Sequence, residues 1–266
     1  MPDLEPATVE VFVNERVAWI TLNRPETLNA WTPQLGADLG AALGRVADAA
    51  EVRSVVLTGA GRAFSSGADL KSEGLVGDDG RPDVGTPLRE IYHPVILAVR
   101  QLAKPVVAAV NGPAVGIGCS LALACDLVIA AESAYFLMAF ANVALGLDGG
   151  ASATLVARVG LGRATEIAML ADRIAAPQAL EWGLVNRVVS DDQLGPAAAD
   201  LAARLAAGSP GSHATIKRTL NEATFPGLAD LLELEAQLQQ ERAASADFIE
   251  AVNAFVEKRP PSFSGT

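Results

Sequence analysis

The chain has 266 residues, half of them apolar and only 5% aromatic, which is enough to bury one large core packed mainly from Ala, Val and Leu. Its net charge of -11, with no cluster of Lys and Arg, excludes a nucleic-acid surface, which needs clustered cations to displace counterions. The longest apolar stretch, residues 105–131, is broken by Asn111, Gly112, Pro113, Gly116, Gly118 and Asp126, so it reads as a buried α/β core and no membrane partner is expected.

The opening MPDLEPATVE has neither a basic nor an apolar segment, so no secretory signal is expected and the expected location is cytoplasmic. From residue 8, TVEVFVNERVAWITLNRP alternates as two strands joined at Asn14-Glu15 and ended by Pro25, which cannot continue a ladder. Thr32-Pro33 reads as an N-cap with proline in the first turn, opening a helix to about Ala49. SVVLTG is a short buried strand and GRAFSSGADL a loop. The polar, Gly-rich residues 72–86 read either as a lid or entrance loop or as a surface excursion. A helix from Pro87 to Gln101, the strand PVVAAV, a Gly-rich turn, a helix to Cys125 and the strand LVIAA follow. This alternation predicts about two βαβ units before residue 150. After Gly149-Gly150 the pattern turns to helices with one short strand, VNRVV. LADLLELEAQLQQERAAS carries helical periodicity over about five turns, to cover the core or meet another subunit.

Cys119 and Cys125 lie six residues apart in one helix, on different sides, so reduced core thiols are expected. Two histidines and no CxxC or HxxxH give no expectation of a metal site.

Two loops, SSGADL and GIGCS, each follow a strand and precede a helix. Each can present a free amide, of Ala68 and of Ile117, into one crevice, and two converging N–H groups make an oxyanion hole. The helix that starts at Ile117 also aims its positive dipole end there. Other readings fit less well. A dinucleotide fingerprint lacks its third glycine, since Leu121 stands there. Neither loop matches GxxxxGK[ST], and no GxSxG surrounds Ser66 or Ser120. Glycines serving only close strand-to-helix packing remain an alternative.

The segments ITLNRPETLNA, VVLTGAGRAFSSGADL, KPVVAAVNGPAVGIGCSLALACDLVIAA, ALGLDGGASATLVARVG, EWGLVNRVV and DFIEAVNAFVEKRPPSFSG together resemble the crotonase superfamily, the enoyl-CoA hydratase/isomerase fold, over nearly the full length. The resemblance implies an α/β crotonase (ClpP-like) fold: repeated ββα units form a spiral core over residues 1–200, with a C-terminal helical trimerisation region over 201–266. It implies an acyl-CoA thioester as partner, with coenzyme A part of the substrate and no separate cofactor. The thioester oxygen would rest on the amides of Ala68 and Ile117, and the CoA on backbone around Ser66, Gly67, Asp69 and Leu70, flanked by Arg24, Glu26 and Leu28. Gly116, Gly118, Ser120 and Phe140 complete the expected substrate-binding set. It further implies a homotrimer or a hexamer of two trimers, with C-terminal helices reaching a neighbour.

Hydratases of this superfamily use two glutamates. By motif position these fall at Ser120 and at Phe140, so both are absent here. Ser120 is expected to bond a carbonyl one turn back, or to position substrate or water. Asp148, in LGLDGG, resembles an aspartate that transfers protons in some dienoyl-CoA isomerases; it also reads as a turn or cap residue. Asp69 and Asp126 are expected to cap or brace. Glu73, Asp78, Asp79, Asp83, Glu90 and Tyr92 come from the variable region above the pocket, where an unusual acid could enter, although each alone is expected to be solvated. His93 is expected to mark a helix start, with a pocket role as its alternative. One carboxylate suffices for an isomerase, so an enoyl-CoA isomerase-type proton shuttle with Asp148 as base is the first expectation. A hydratase without the glutamate pair, or a CoA-ester binding protein without turnover, are the alternatives.

Overall fold

The computed structural model describes residues 7–69 and 82–266. β1 (Val9–Asn14) and β2 (Val17–Leu22) form an antiparallel hairpin. Its two-residue turn is Glu15-Arg16, one place later than expected, with φ of 48° and 69°. Two left-handed residues in succession give the twist that a tight hairpin needs.

β2 then pairs in parallel with β3 (Ser54–Gly59), β3 with β4 (Val106–Val110), β4 with β6 (Leu127–Ala131) and β6 with β9 (Arg187–Val189). The six-stranded order is β1-β2-β3-β4-β6-β9. Every residue of β4 is buried, as a parallel strand covered on both faces requires. The Ala-rich helix α7 (Leu194–Ala207) lies across β2, β3, β4 and β6, and its small side chains let Ser54 Oγ donate to the Ala202 carbonyl at 2.8 Å. The residue-200 boundary expected between core and C-terminal region falls inside this helix.

A second layer holds β5 (Ala114–Val115), β7 (Tyr135–Leu137) and β8 (Ile174–Ala175). β8 is a strand that the sequence reading left out: its two residues are too few to show periodicity, and its pairing with β7 is decided by tertiary context. Single parallel bridges, Ser65 to Ala114 and Trp31 to Ala68, extend this layer. After β3, β4 and β6 the chain therefore passes through the second layer before its next helix, which is the expected ββα repeat.

α1 (Pro33–Asp48) begins where expected, with Thr32 Oγ1 accepting from the Leu35 amide. The helix expected over 87–101 is instead three pieces: α2 (Gly85–Pro87), a π-helical turn Leu88–Tyr92, and α3 (His93–Gln101). Pro94 has no N–H for the carbonyl four residues back, and the wider turn is the local answer. α4 (Ile117–Ala124) is wholly buried. Beyond Gly150 come α5 (Ala151–Leu170), α6 (Ala176–Glu181), α8 (Pro210–Thr224), α9 (Leu228–Ala243) and α10 (Ala246–Glu257). α9 and α10 fold back onto their own chain: α9 packs on α2 and the π turn, and α10 on the residues around 141–143.

Cys119 and Cys125 are buried free thiols, each pushed up to about 12 by burial. Asp126 braces the core: it accepts from the Val106 amide at 2.8 Å and pairs with Lys217 and Arg100 at 2.8 and 3.4 Å. His93 opens α3 and is buried, which lowers it to about 4.

A buried asparagine that sequence reading passed over holds the loops together. Asn29 sits at φ 55°, accepts from the Arg24 amide at 2.8 Å, and donates to the Ala60 and Ala63 carbonyls at 2.9 and 2.8 Å. Asn29→Ala leaves one buried and one half-buried carbonyl unpaired and keeps the left-handed backbone, so a loss of about 2–4 kcal/mol is expected in urea unfolding.

Candidate active site

Two backbone turns meet at the centre of the molecule. Gly67 has φ 92° and Gly116 φ 51° with ψ -127°, conformations that a side chain resists. A Cβ on Gly67 would stand 3.1 Å from the Val115 carbonyl oxygen, and one on Gly116 would stand 3.9 Å from the Gly67 Cα. Gly118 packs against Ser65, where a Cβ would reach 2.6 Å. The residues flanking the two turns are pinned. Trp31 donates to the Gly67 carbonyl and accepts from the Asp69 amide, the Val115 amide donates to the Ser65 carbonyl, and the Gly116 amide donates to the Leu137 carbonyl. The amides of Ala68 and Ile117, between these anchors, donate to no group among the described residues.

A cavity of about 390 Å³ opens beside these amides. Its wall takes in Ser66, Gly67, Ala68, Gly116 and Ile117. Phe140 and Asp148 line it as well, and most of the remaining lining is apolar. α10 and the segment after it close one side with Phe248, Ala251, Phe255 and Arg259; the Arg259 guanidinium is engaged by Glu250 and Glu257.

Other expected site residues stand outside that lining. Arg24 donates to the Ala30 carbonyl and pairs with Asp69 at 3.6 Å. Glu26 lies on an exposed 3-10 turn, Pro25–Thr27. Leu28, at φ 57°, accepts through its carbonyl from the Ser66 amide, so the 24–28 turn does flank the 65–69 turn. Gly118 and Ser120 lie behind the wall. Leu70 and the acids Glu73, Asp78 and Asp79 lie outside the described residues, as does most of the 72–86 segment.

Ser120 bonds the carbonyl one turn back only at 3.4 Å; its shorter bond, 3.0 Å, goes to the main-chain oxygen of Asp148. The serine at the first glutamate position therefore serves as a tether for the segment that carries the aspartate. Among the described residues Asp148 is the only carboxylate in the cavity wall. It is 6% exposed. Its Oδ2 accepts from Gln239 Nε2 at 3.0 Å, while Oδ1 has no partner. Burial, reinforced by the nearby Glu235, holds its carboxyl well above the usual aspartate range, against the opposing effect of the Gln239 bond.

Tyr92 was expected in solvent and is in the cavity wall, 7% exposed and edge-on to Trp31 with ring centres 5.0 Å apart. Burial and the neighbouring Asp148 keep its phenol protonated. The pair His93-Pro94 reads as a helix start, and His93 does open α3; what that reading does not show is that the proline widens the preceding turn and directs Tyr92 inward. Gln239 and Glu235 were also missed: both are buried polar side chains one turn apart on α9. Glu90 is exposed, and Asp83 caps the next turn by accepting from the Thr86 amide at 3.0 Å. No group of three or more potential metal ligands occurs among the described residues.

Residues 13–266 match the family model described as enoyl-CoA hydratase/isomerase. A probable enoyl-CoA hydratase of Rhodobacter capsulatus is 42% identical over 97% of this chain and 98% of its own length. The 1,2-epoxyphenylacetyl-CoA isomerase of Escherichia coli is 40% identical over 95% of this chain and 97% of its own. A crystal structure of an enoyl-CoA hydratase from Mycobacterium avium subsp. paratuberculosis superposes with a TM-score of 0.88 at 37% identity, covering 97% of this chain and 99% of that one. The α/β architecture of two layers built from ββα repeats is the crotonase fold of these neighbours, and the chain belongs to the enoyl-CoA hydratase/isomerase family.

Proposed function

We propose that the protein is an isomerase of this family, which moves a proton along the acyl chain of an enoyl-CoA thioester. The observation that carries this reading is the single buried carboxylate: Asp148 has one oxygen anchored and the other unpartnered in an apolar cavity. The positions at which a hydratase would keep its glutamates hold Ser120, turned to the Asp148 carbonyl, and the cavity-wall phenyl of Phe140. A hydratase must also place a water, and neither residue can deprotonate one.

In this reading the thioester carbonyl oxygen accepts from the amides of Ala68 and Ile117. Asp148 takes a proton from a carbon next to the conjugated system. The electron pair spreads onto the thioester oxygen, where the two N–H groups stabilise it. The same carboxyl then returns the proton to a different carbon. Losing one such donor costs about 3 kcal/mol of barrier. A carboxyl held above its ordinary range by burial is a stronger base than a solvated aspartate, which suits proton abstraction from carbon. CoA itself passes over the 65–69 and 24–28 turns. Among the described residues no helix is long and apolar enough to cross a membrane. Exposed apolar side chains on α5, α8 and α9, among them Leu161, Met169, Ile216, Leu220, Leu234 and Leu238, support a trimer or a pair of trimers. Light scattering of the purified protein is expected to give a multiple of three chains.

The direct test incubates the protein with trans-2-, cis-3- and dienoyl-CoA esters in deuterated water. Expected is a product isomeric with the substrate, with no water added and with deuterium only to the extent that the Asp148 carboxyl exchanges with solvent between the two transfers; a 3-hydroxyacyl product formed at comparable rate overturns the reading in favour of hydration. Asp148→Asn is expected to lower turnover by about 100-fold or more while the ester still binds. The same variant carries a stability signature. The folded-state carboxyl of Asp148 is raised, so its contribution is fully present below the unfolded-chain value and is lost as pH rises through the folded one. The variant is therefore expected to melt above the parent at neutral pH, with the gap closing on acidification below the ordinary aspartate range.

A further inference from the structure

The reacting groups all precede residue 150, yet the carboxylate among them is held by a helix that begins at Leu228. We propose that α9 is part of the proton-transfer apparatus: Gln239 is the positioning residue that turns Asp148 into the cavity, and Glu235, one turn earlier, is the charged neighbour through which the helix acts on the same carboxylate. This rests on Asp148 as the proton carrier.

The orientation of Gln239 is decided by its two partners. It is fully buried, and its Oε1 accepts from the Gly146 amide at 3.0 Å, so Nε2 is the end that faces Asp148 Oδ2, also at 3.0 Å. An amide read in this way by a backbone N–H cannot flip without leaving two donors face to face. With Oδ2 engaged, Oδ1 is the oxygen left for chemistry.

Glu235 holds the other end of the same turn. Its Oε2 accepts from the Gly150 amide at 2.8 Å, and Oε1 accepts from both the amide and the hydroxyl of Ser152. It thus supplies the cap that Gly150, at the start of α5, lacks. Gly149 leaves no slack between these anchors, because a Cβ there would stand 2.6 Å from Ile117 Cδ1 and 2.8 Å from Ser120 Cβ. The segment 146–150 is therefore pinned by α9 at Gly146, Asp148 and Gly150, and by α4 through Ser120. The titratable neighbours of Asp148 are Glu235 on α9 and the phenol of Tyr92 at the end of the π turn. α4 and the first turn of α5 bring no charged side chain.

The two contacts push Asp148 in opposite directions. The Gln239 bond favours the charged form and Glu235 disfavours it. Gln239→Met keeps the volume and removes the donor; Glu235→Gln keeps the shape and removes the charge. Each is compared with the parent by the pH dependence of kcat/KM and by the carboxyl NMR titration of 13C-aspartate-labelled protein, with the Asp148 signal identified by its loss in Asp148→Asn. Expected for Gln239→Met is a titration moved to higher pH by about one unit and a kcat lowered by about 10-fold at nearly unchanged KM. Expected for Glu235→Gln is a move to lower pH. Titrations that coincide with the parent, or two shifts in the same direction, overturn the proposal. If Gln239→Met does not fold, Gln239→Glu replaces it, with the same upward shift expected and an unmoved titration overturning the proposal. The NMR readout needs no turnover, so an active Asp148→Asn would overturn the isomerase reading and the catalytic part of this proposal, while the titrations still decide whether α9 sets the Asp148 carboxyl.

Discussion

The close passage of two backbone turns is the constraint on which the site depends. A Cβ on Gly67 would crowd the Val115 carbonyl oxygen, and Gly67 and Gly116 both adopt backbone conformations that disfavour a side chain. What they present is a pair of amides with their own hydrogen-bonding neighbours already committed. A side-chain donor would have to be ordered at an entropic cost each time it acts, whereas these donors are ordered by the sheet itself. The second layer of short strands follows from the same need. It is the device that carries residues 65–68 and 114–115 side by side after they leave β3 and β4.

The carboxylate obeys a different logic. Asp148 is costly to bury next to Glu235, and the fold tolerates the cost because the surrounding turn is held by Ser120, Gln239 and Glu235 together. The same burial that strains the resting protein raises the proton affinity of the group, which is what the proposed proton transfer would draw on. Stability and chemistry are therefore set against each other at one residue.

Much of this was legible in the sequence. The glycine turns, the hairpin, the Thr32 cap and the parallel strands are local signals, each carried by residues next to one another. The absence of acids at 120 and 140 was equally plain, and so was the promise of Asp148. Tyr92 was misplaced because the π turn that directs it depends on how Pro94 is accommodated, a three-dimensional question. Gln239 and Glu235 were missed for another reason. α9 intersperses polar residues among its periodic apolar ones, so its pattern does not mark which of the polar side chains face inward. Only the packing of a helix from the last 40 residues onto the 146–150 turn decides it.

That packing has a consequence for synthesis. Residue 240, next to Gln239, takes the amides of Val84 and Gly85 on its side-chain oxygen and donates to the carbonyl of Pro82. One turn of α9 thus secures both the aspartate and the entry to the π turn that carries Tyr92. A chain whose synthesis stops before Leu228 has the residues of the sheet and of both glycine turns but lacks Gln239, the side chain that aims Asp148. The two parts of the site thus come from opposite ends of the chain: the amide pair from residues before 120, and the hold on the buried carboxylate from the last 40.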